Sequence, residues 1–287
     1  MLTLPKILLL AIIQGACELL PVSSSAHVIL AEKLLGLDPT SPAMTLLLVM
    51  LHTGTMLAVI VFFWNSWREN FFGSIKNFIE SIKLIVVATI STGFIGVFLK
   101  IVIEKVFLRG APHAEIELLF GNLFLISAAL ASAGALILWA GYVDSRPLKA
   151  KTVLGVKSAV LIGLVQGLCL PFRGFSRSGA TISTGLILGV EKKHLEDFSF
   201  ALAVILTPPI VLMEAHRFLK VQYTTAHHAG ILGLFLPSLI GMALSFGAGL
   251  LALKWLSHWL EKGCWYIFGY YCLFAAGVIF LLHCQGL

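Results

Sequence analysis

The chain has 287 residues, of which 59% are hydrophobic and only 12% are charged, so its composition lies far from that of an ordinary soluble domain. Its net charge is +6. The basic residues form no continuous stripe with interleaved aromatic residues, and most lie in short connections between apolar runs, which indicates contact with lipid headgroups and argues against nucleic-acid binding. The composition predicts an integral membrane protein.

The N-terminal part holds two short apolar stretches, 4–20 and 25–37, with a polar, proline-containing cluster between them. Neither stretch has the uninterrupted length of roughly 20 residues expected of a spanning helix. Non-helical backbone at membrane depth is tolerated only where it is buried in protein or lines a wet cavity. We therefore predict a re-entrant helical hairpin with a functional site at this first break.

The first break is rich in polar side chains: Gln14, Glu18, Ser23, Ser24, Ser25 and His27. Gln14 and Glu18 lie four residues apart on one helical face, so both could reach one ligand. A carboxylate in an apolar segment costs about a few kcal/mol and calls for a metal ion, an arginine or a wet cavity. The alternative is that Glu18 snorkels to the interface. His27 is near enough to the serines to act as acid, base or nucleophile, or it is structural.

Six longer apolar runs predict six membrane crossings, at 43–63, 84–103, 118–141, 197–214, 230–256 and 264–284. The connections 64–83 and 142–157 and the Lys192-Lys193 pair carry an excess of basic residues, so the positive-inside rule places all three in the cytoplasm. The connection 104–117 mixes both charges and must then lie outside. The two assignments agree.

Between the third and fourth crossings a second interrupted pair, 155–170 and 178–190, predicts another hairpin. Its break contains Arg173, Gly174, Ser176, Arg177, Ser178, Gly179 and Thr181. Backbone N–H groups, hydroxyls and a guanidinium at a helix start are the groups that hold phosphate oxygens. The alternative is an ordinary serine-capped helix with arginines at the headgroup level.

The two breaks resemble each other, since Gln14-Gly-Ala-Cys is echoed by Gln166-Gly-Leu-Cys and a proline and serines follow in both. Three crossings follow each hairpin. The chain is thus predicted to be one membrane domain, residues 1–287, built from inverted-topology repeats at about 1–141 and 155–287, whose hairpins enter from opposite faces and meet near the middle. Chance similarity between two helix-breaking segments is the alternative.

The segment from Gln14 to His27 resembles the first signature of bacterial undecaprenyl-diphosphate phosphatases, the bacitracin resistance protein family, and Gly174 to Thr181 resembles their second. The stretches 52–59 and 197–204 are also similar, so the likeness covers nearly the whole chain. Two positions depart from the family pattern. Arg173 replaces the usual proline, which would add a phosphate contact, and Cys272 follows Tyr271 where an arginine is common.

The resemblance implies an all-α polytopic membrane protein with six transmembrane helices and two re-entrant hairpins, in the bacterial inner membrane, with its site facing the periplasm. It implies hydrolysis of undecaprenyl diphosphate to undecaprenyl phosphate with a divalent cation, Mg²⁺ or Ca²⁺, which recycles the carrier lipid for cell-wall synthesis. The lipid and the bilayer are the expected partners, and a homodimer is left open. Transport of a polyprenyl phosphate through the same pocket is the rival function.

Phosphoryl transfer depends mostly on positioning and electrostatics, which suggests a role for each group. We expect Arg177 to clamp the diphosphate, and Glu18 with Gln14 to hold the cation. The remaining substrate contacts are expected from Ser23, Ser25, Arg173, Gly174, Ser176, Ser178, Gly179 and Thr181. Ser24 and His27 would act at the terminal phosphorus. Direct attack by water, with His27 or Glu18 as base, and a phospho-enzyme on Ser24 or His27 are both open.

Overall fold

The structure is a computed structural model that describes residues 2–39, 41–107, 109, 116–146, 152–224 and 231–287. The described residues are almost entirely helical, and the strand pairing among them is a single isolated bridge. The ten α-helices are α1 (Leu4–Leu19), α2 (Ser24–Leu34), α3 (Pro42–Asn70), α4 (Ile75–Val102), α5 (Leu123–Asp144), α6 (Val156–Leu168), α7 (Arg177–Ile187), α8 (Lys192–Thr224), α9 (Ile231–Glu261) and α10 (Tyr266–Cys284). The predicted all-α class is confirmed.

Six helices are long and apolar enough to cross a membrane, at Pro42–Asn70, Ile75–Val106, Leu123–Asp144, Lys192–Met213, Phe235–Glu261 and Tyr266–Cys284. They correspond one to one with the six predicted crossings. The predicted connection 64–83 is too long, because α3 continues to Asn70 and α4 begins at Ile75. Ser66 and Asn70, in the last turns of α3, donate hydrogen bonds to Asp197 on α8, and these contacts account for the extension of α3 beyond residue 63.

Contacts divide the chain into two compact units. The first unit comprises Met1–Leu20, His27–Trp64 and Ala203–Leu256. The second comprises Pro21–Ala26, Asn65–Leu202 and Ser257–Leu287. The serine cluster of the first break therefore belongs to the same unit as the whole second break.

Both predicted interruptions occur, between α1 and α2 and between α6 and α7. In each helix pair, the start of the first helix lies near the end of the second helix. The Lys6 ammonium on α1 donates to the backbone carbonyl of Leu35, at 2.7 Å. Before α6, Thr152 forms a parallel bridge with Val190, which follows α7. This is the geometry that a re-entrant hairpin requires, while re-entry into the bilayer stays a prediction.

Three connections predicted to share one membrane face meet at one end of the second unit. Lys192 at the start of α8 forms an ion pair with Asp144 at the end of α5, at 2.7 Å. The Asp197 carboxylate accepts hydrogen bonds from Ser66 at 2.7 Å and Asn70 at 2.8 Å, at the end of α3. The ends of α3 and α5 and the start of α8 therefore lie close together within this unit, while their position on the cytoplasmic side stays a prediction.

The repeated Gln-Gly pair has a packing explanation. A Cβ atom on Gly15 of α1 would lie 2.6 Å from the carbonyl oxygen of Ser245 on α9, in the first unit. A Cβ atom on Gly167 of α6 would lie 2.8 Å from the carbonyl oxygen of Thr92 on α4, in the second unit. Each hairpin therefore packs its first helix against the second long helix of the other predicted repeat. The inverted orientation of the repeats stays a prediction.

Candidate active site

The first break is shaped by a serine in an unusual backbone conformation. Ser23 has φ of 67°, in the left-handed region that L-residues other than Asn and Asp seldom adopt, and it is the one such non-glycine position in the described residues. Its hydroxyl accepts a 3.4 Å hydrogen bond from the Ala26 N–H, which caps α2, and lies 3.2 Å from the Ser25 hydroxyl. Three consecutive serines are thereby presented at the start of α2.

The second break turns at a glycine and restarts at a capping serine. Gly174 has φ of 109°, and a Cβ atom there would clash with the carbonyl oxygen of Ile126 on α5. Both the angle and the space therefore require glycine. Ser176 caps α7 by accepting a hydrogen bond from the Gly179 N–H at 3.2 Å. The amide of Gly179, predicted to bind phosphate, is thus already engaged in the cap.

The two breaks meet directly. The N–H of Gly174 donates a 3.3 Å hydrogen bond to the hydroxyl of Ser25, across 149 residues of sequence. On the other side of the first break, the buried thiol of Cys272 on α10 donates to the carbonyl oxygen of Pro21 at 3.4 Å. The position at which this chain departs from the family arginine therefore contacts the break itself.

Arg177 is the first residue of α7 and is partly buried. Its backbone carbonyl accepts a 2.9 Å hydrogen bond from the hydroxyl of Thr181, whose oxygen also lies 2.6 Å from the Ser199 hydroxyl on α8. Ser178 and Thr181 are both buried. The contacts seen for Thr181 hold α7 in place, and direct substrate binding by Ser178 or Thr181 stays a prediction.

Gln14 and Glu18, predicted to lie on one helical face, are in contact in the first unit. The side-chain amide of Gln14 donates to a carboxylate oxygen of Glu18 at 3.3 Å, and Gln14 is buried while Glu18 is partly exposed. His27 lies in the first turn of α2 and is also partly exposed. The meeting of Glu18 and His27 with Arg177 stays a prediction.

The donor set suits a cation that is bound mainly through its substrate. Among the described residues, no three His, Cys, Asp or Glu side chains gather as a metal site. Mg²⁺ commonly binds one or two carboxylates together with substrate phosphates and water. Glu18, oriented by Gln14, offers one carboxylate of this kind. The residues therefore fit a cation shared with a diphosphate and do not fit an all-protein cage.

Two contacts near the second break were not predicted from the sequence. Ser199 supports Thr181, and its signal was a serine between two phenylalanines within an apolar run. Phe120 lies under Arg173, whose guanidinium carbon is 4.4 Å from the ring centre. No sequence signal connects Phe120 with the second break, because the pairing depends on how the chain folds back. The Nδ1 atom of His52 lies 2.8 Å from the carbonyl oxygen of Leu48 on its own helix.

Comparison with known proteins identifies the family of this chain. The profile of the family described as "Bacitracin resistance protein BacA" matches residues 7–279. The chain is 54% identical to "Undecaprenyl-diphosphatase 2" of Acinetobacter baylyi over 96% of both chains. It is 32% identical to "Undecaprenyl-diphosphatase" of Bacteroides thetaiotaomicron, over 93% of this chain and 94% of the relative. It is 30% identical to the protein of that name from Thermodesulfovibrio yellowstonii, over 97% and 96%. The chain therefore belongs to the bacitracin resistance protein BacA family.

Proposed function

We propose that this multi-pass membrane protein is a phosphatase that hydrolyses undecaprenyl diphosphate to undecaprenyl phosphate and inorganic phosphate, which returns the carrier lipid to cell-wall synthesis. The relatives that match nearly the whole chain are named for this activity. The structural observation that carries the proposal is the hydrogen bond between Ser25 and Gly174, because it joins the hydroxyl-rich break to the arginine-rich break.

The joined breaks have the chemistry of an anion site. Arg177 begins a helix of 11 residues, so its guanidinium adds to the partial positive charge of the helix N-terminus. The Ser23 to Ser25 cluster supplies hydroxyl groups beside the same turn. A diphosphate head needs charge neutralisation and several hydrogen-bond donors, and these groups provide both.

We assign the clamp on the diphosphate to Arg177 and the contact with the divalent cation to Glu18, oriented by Gln14. When bound, Mg²⁺ or Ca²⁺ would neutralise phosphate charge as a Lewis acid. Ser24 lies at the start of α2 and His27 one turn later, so both project from the same end of one helix. We assign proton transfer to His27 and contact with the terminal phosphate to Ser24. Attack at the terminal phosphorus, by water directly or by Ser24 or His27 with later hydrolysis of the phospho-enzyme, cleaves the phosphoanhydride bond, and the lipid monophosphate departs.

We place the protein in the bacterial inner membrane with the site open to the periplasm. The basic connections favour this orientation by the positive-inside rule. The residues assigned to the reaction all come from one chain, so the proposal requires no second copy.

Phosphate release in detergent micelles tests the proposal against its rival, transport of a polyprenyl phosphate. Micelles offer no second compartment, so a carrier without hydrolytic activity releases no phosphate. We expect the purified chain to release one phosphate from each undecaprenyl diphosphate, and to stop when a chelator removes divalent cations. Restored release on adding Mg²⁺ or Ca²⁺ would support the cation assignment. No release in the presence of either ion would contradict the proposed function.

A further inference from the structure

Arg173 is an exposed cation beside the junction of the two breaks. Its guanidinium carbon lies 4.4 Å from the centre of the Phe120 ring, which is cation–π geometry. The next residue, Gly174, donates its N–H to Ser25. This chain therefore holds one more positive charge beside its proposed phosphate site.

The position of the guanidinium over the ring is compatible with phosphate binding by the same side chain. Cation–π contact uses the face of the planar guanidinium, whereas phosphate oxygens bind to the N–H groups at its edge. Contact with the ring also restricts the rotamers of Arg173, so less side-chain entropy is lost when phosphate binds. Phe120 lies just before α5, in the part of the chain that follows the connection predicted to lie outside.

We infer that Arg173, positioned by Phe120, is a specificity residue that binds the second phosphate of the diphosphate and thereby favours the substrate over the monophosphate product. The inference rests on the proposed function. Substrate and product share the lipid-linked phosphate, and we assign the contact with this phosphate to Arg177 in both. The substrate alone has the terminal phosphoryl group and its additional negative charge, so a second arginine discriminates between the two. Because Arg173 strengthens binding of the substrate alone, it would also reduce competition by the accumulated monophosphate.

Steady-state phosphate release by the full chain in detergent tests the role of Arg173. Undecaprenyl diphosphate is the substrate, and undecaprenyl phosphate is added as inhibitor. We expect Arg173→Ala to raise the KM for the diphosphate about tenfold, because a charge-assisted contact is lost. The kcat should stay within about twofold of the parental value, because Arg173 is expected to bind the substrate and its transition state equally well. The inhibition constant of the monophosphate should also stay within about twofold.

The role of Phe120 is a positioning role, and it is tested by comparing ring and non-ring variants. Phe120→Leu keeps an apolar side chain without the π face and should raise the KM about two- to fivefold. Phe120→Trp keeps an aromatic π face and should therefore show a nearly parental KM. In the Arg173→Ala background, Phe120→Leu should have no further effect on the KM, because the two residues act as one unit.

A second arginine–aromatic pair in the same unit supplies the control. The guanidinium carbon of Arg146 lies 4.3 Å from the centre of the Tyr142 ring, at the end of α5 that carries Asp144. Arg146→Ala should leave KM, kcat and product inhibition unchanged.

The inference is overturned if Arg173→Ala leaves the KM unchanged, or if it weakens substrate and product equally, as a general headgroup contact would. It is also overturned if Leu and Trp at position 120 behave alike. Absence of phosphate release from the parental chain is a different result, because it would remove the proposed function and this inference with it.

Discussion

At the scale of single residues, the two breaks depend on backbone geometry as much as on reactive groups. Ser23 and Gly174 both have positive φ, and Ser25 binds the amide of Gly174. A hydroxyl that accepts a backbone hydrogen bond is partly committed to the structure. We therefore separate Ser25, which joins the breaks, from Ser24, which is assigned to the terminal phosphate.

Ser25→Ala should destabilise the protein, because it leaves the Gly174 N–H without its hydroxyl partner. A lost acceptor for a buried amide typically costs about 1–3 kcal/mol. We expect a lower melting temperature in detergent, measured by intrinsic tryptophan fluorescence. Ser24→Ala should mainly lower turnover. Equal melting temperatures for Ser25→Ala and the parental protein would contradict the structural role of Ser25.

Gly174→Ala should be more harmful than Gly189→Ala, although both positions have positive φ, of 109° and 76°. An added Cβ clashes with the Ile126 carbonyl at position 174 and meets nothing within 4 Å at position 189. Gly189→Ala should therefore show backbone strain alone, about 1–2 kcal/mol. The melting temperatures of both variants, together with their phosphate release, provide the check. A Gly174→Ala protein as stable and active as Gly189→Ala would refute the close packing.

At the scale of elements, much of the helical pattern could be predicted from the sequence. Six uninterrupted apolar runs gave six spanning helices, and proline with clustered serines marked both breaks. Contacts between distant segments could not be predicted. Nothing local connects Ser25 with Gly174, Ser199 with Thr181, or Phe120 with Arg173, because each pair forms only when helices from remote parts of the chain pack.

Packing between α6 and α4 depends on glycine at position 167. Gly167→Ala would place a Cβ atom 2.7 Å from the Ile95 side chain, so the helices must separate. Overpacking of this kind costs about 1–3 kcal/mol. Gly93→Ala on α4 is the matched control, since a Cβ atom there meets nothing within 4 Å. We expect a clear loss of thermal stability at position 167 and none at position 93. The same loss at both positions would contradict the proposed contact.

At the scale of the whole molecule, the six crossings and the positive-inside rule predict which ends face outward. Cys264, in the turn between α9 and α10, is predicted to face the cytoplasm, and the exposed Cys284 at the end of α10 the periplasm. A membrane-impermeant maleimide applied to intact spheroplasts should therefore label Cys284 and spare Cys264 until the membrane is permeabilised. Labelling of Cys264 first would reverse the orientation and with it the periplasmic site.

The central claim is that an acidic residue of the first break and an arginine of the second break act on one diphosphate. Turnover of undecaprenyl diphosphate by purified Glu18→Ala and Arg177→Ala proteins is the most direct measurement. Removing a preorganised electrostatic contact of this kind costs about a hundredfold or more in rate. We predict losses of at least about a hundredfold in both variants, with the fold retained. Nearly parental turnover in either variant would contradict the claim.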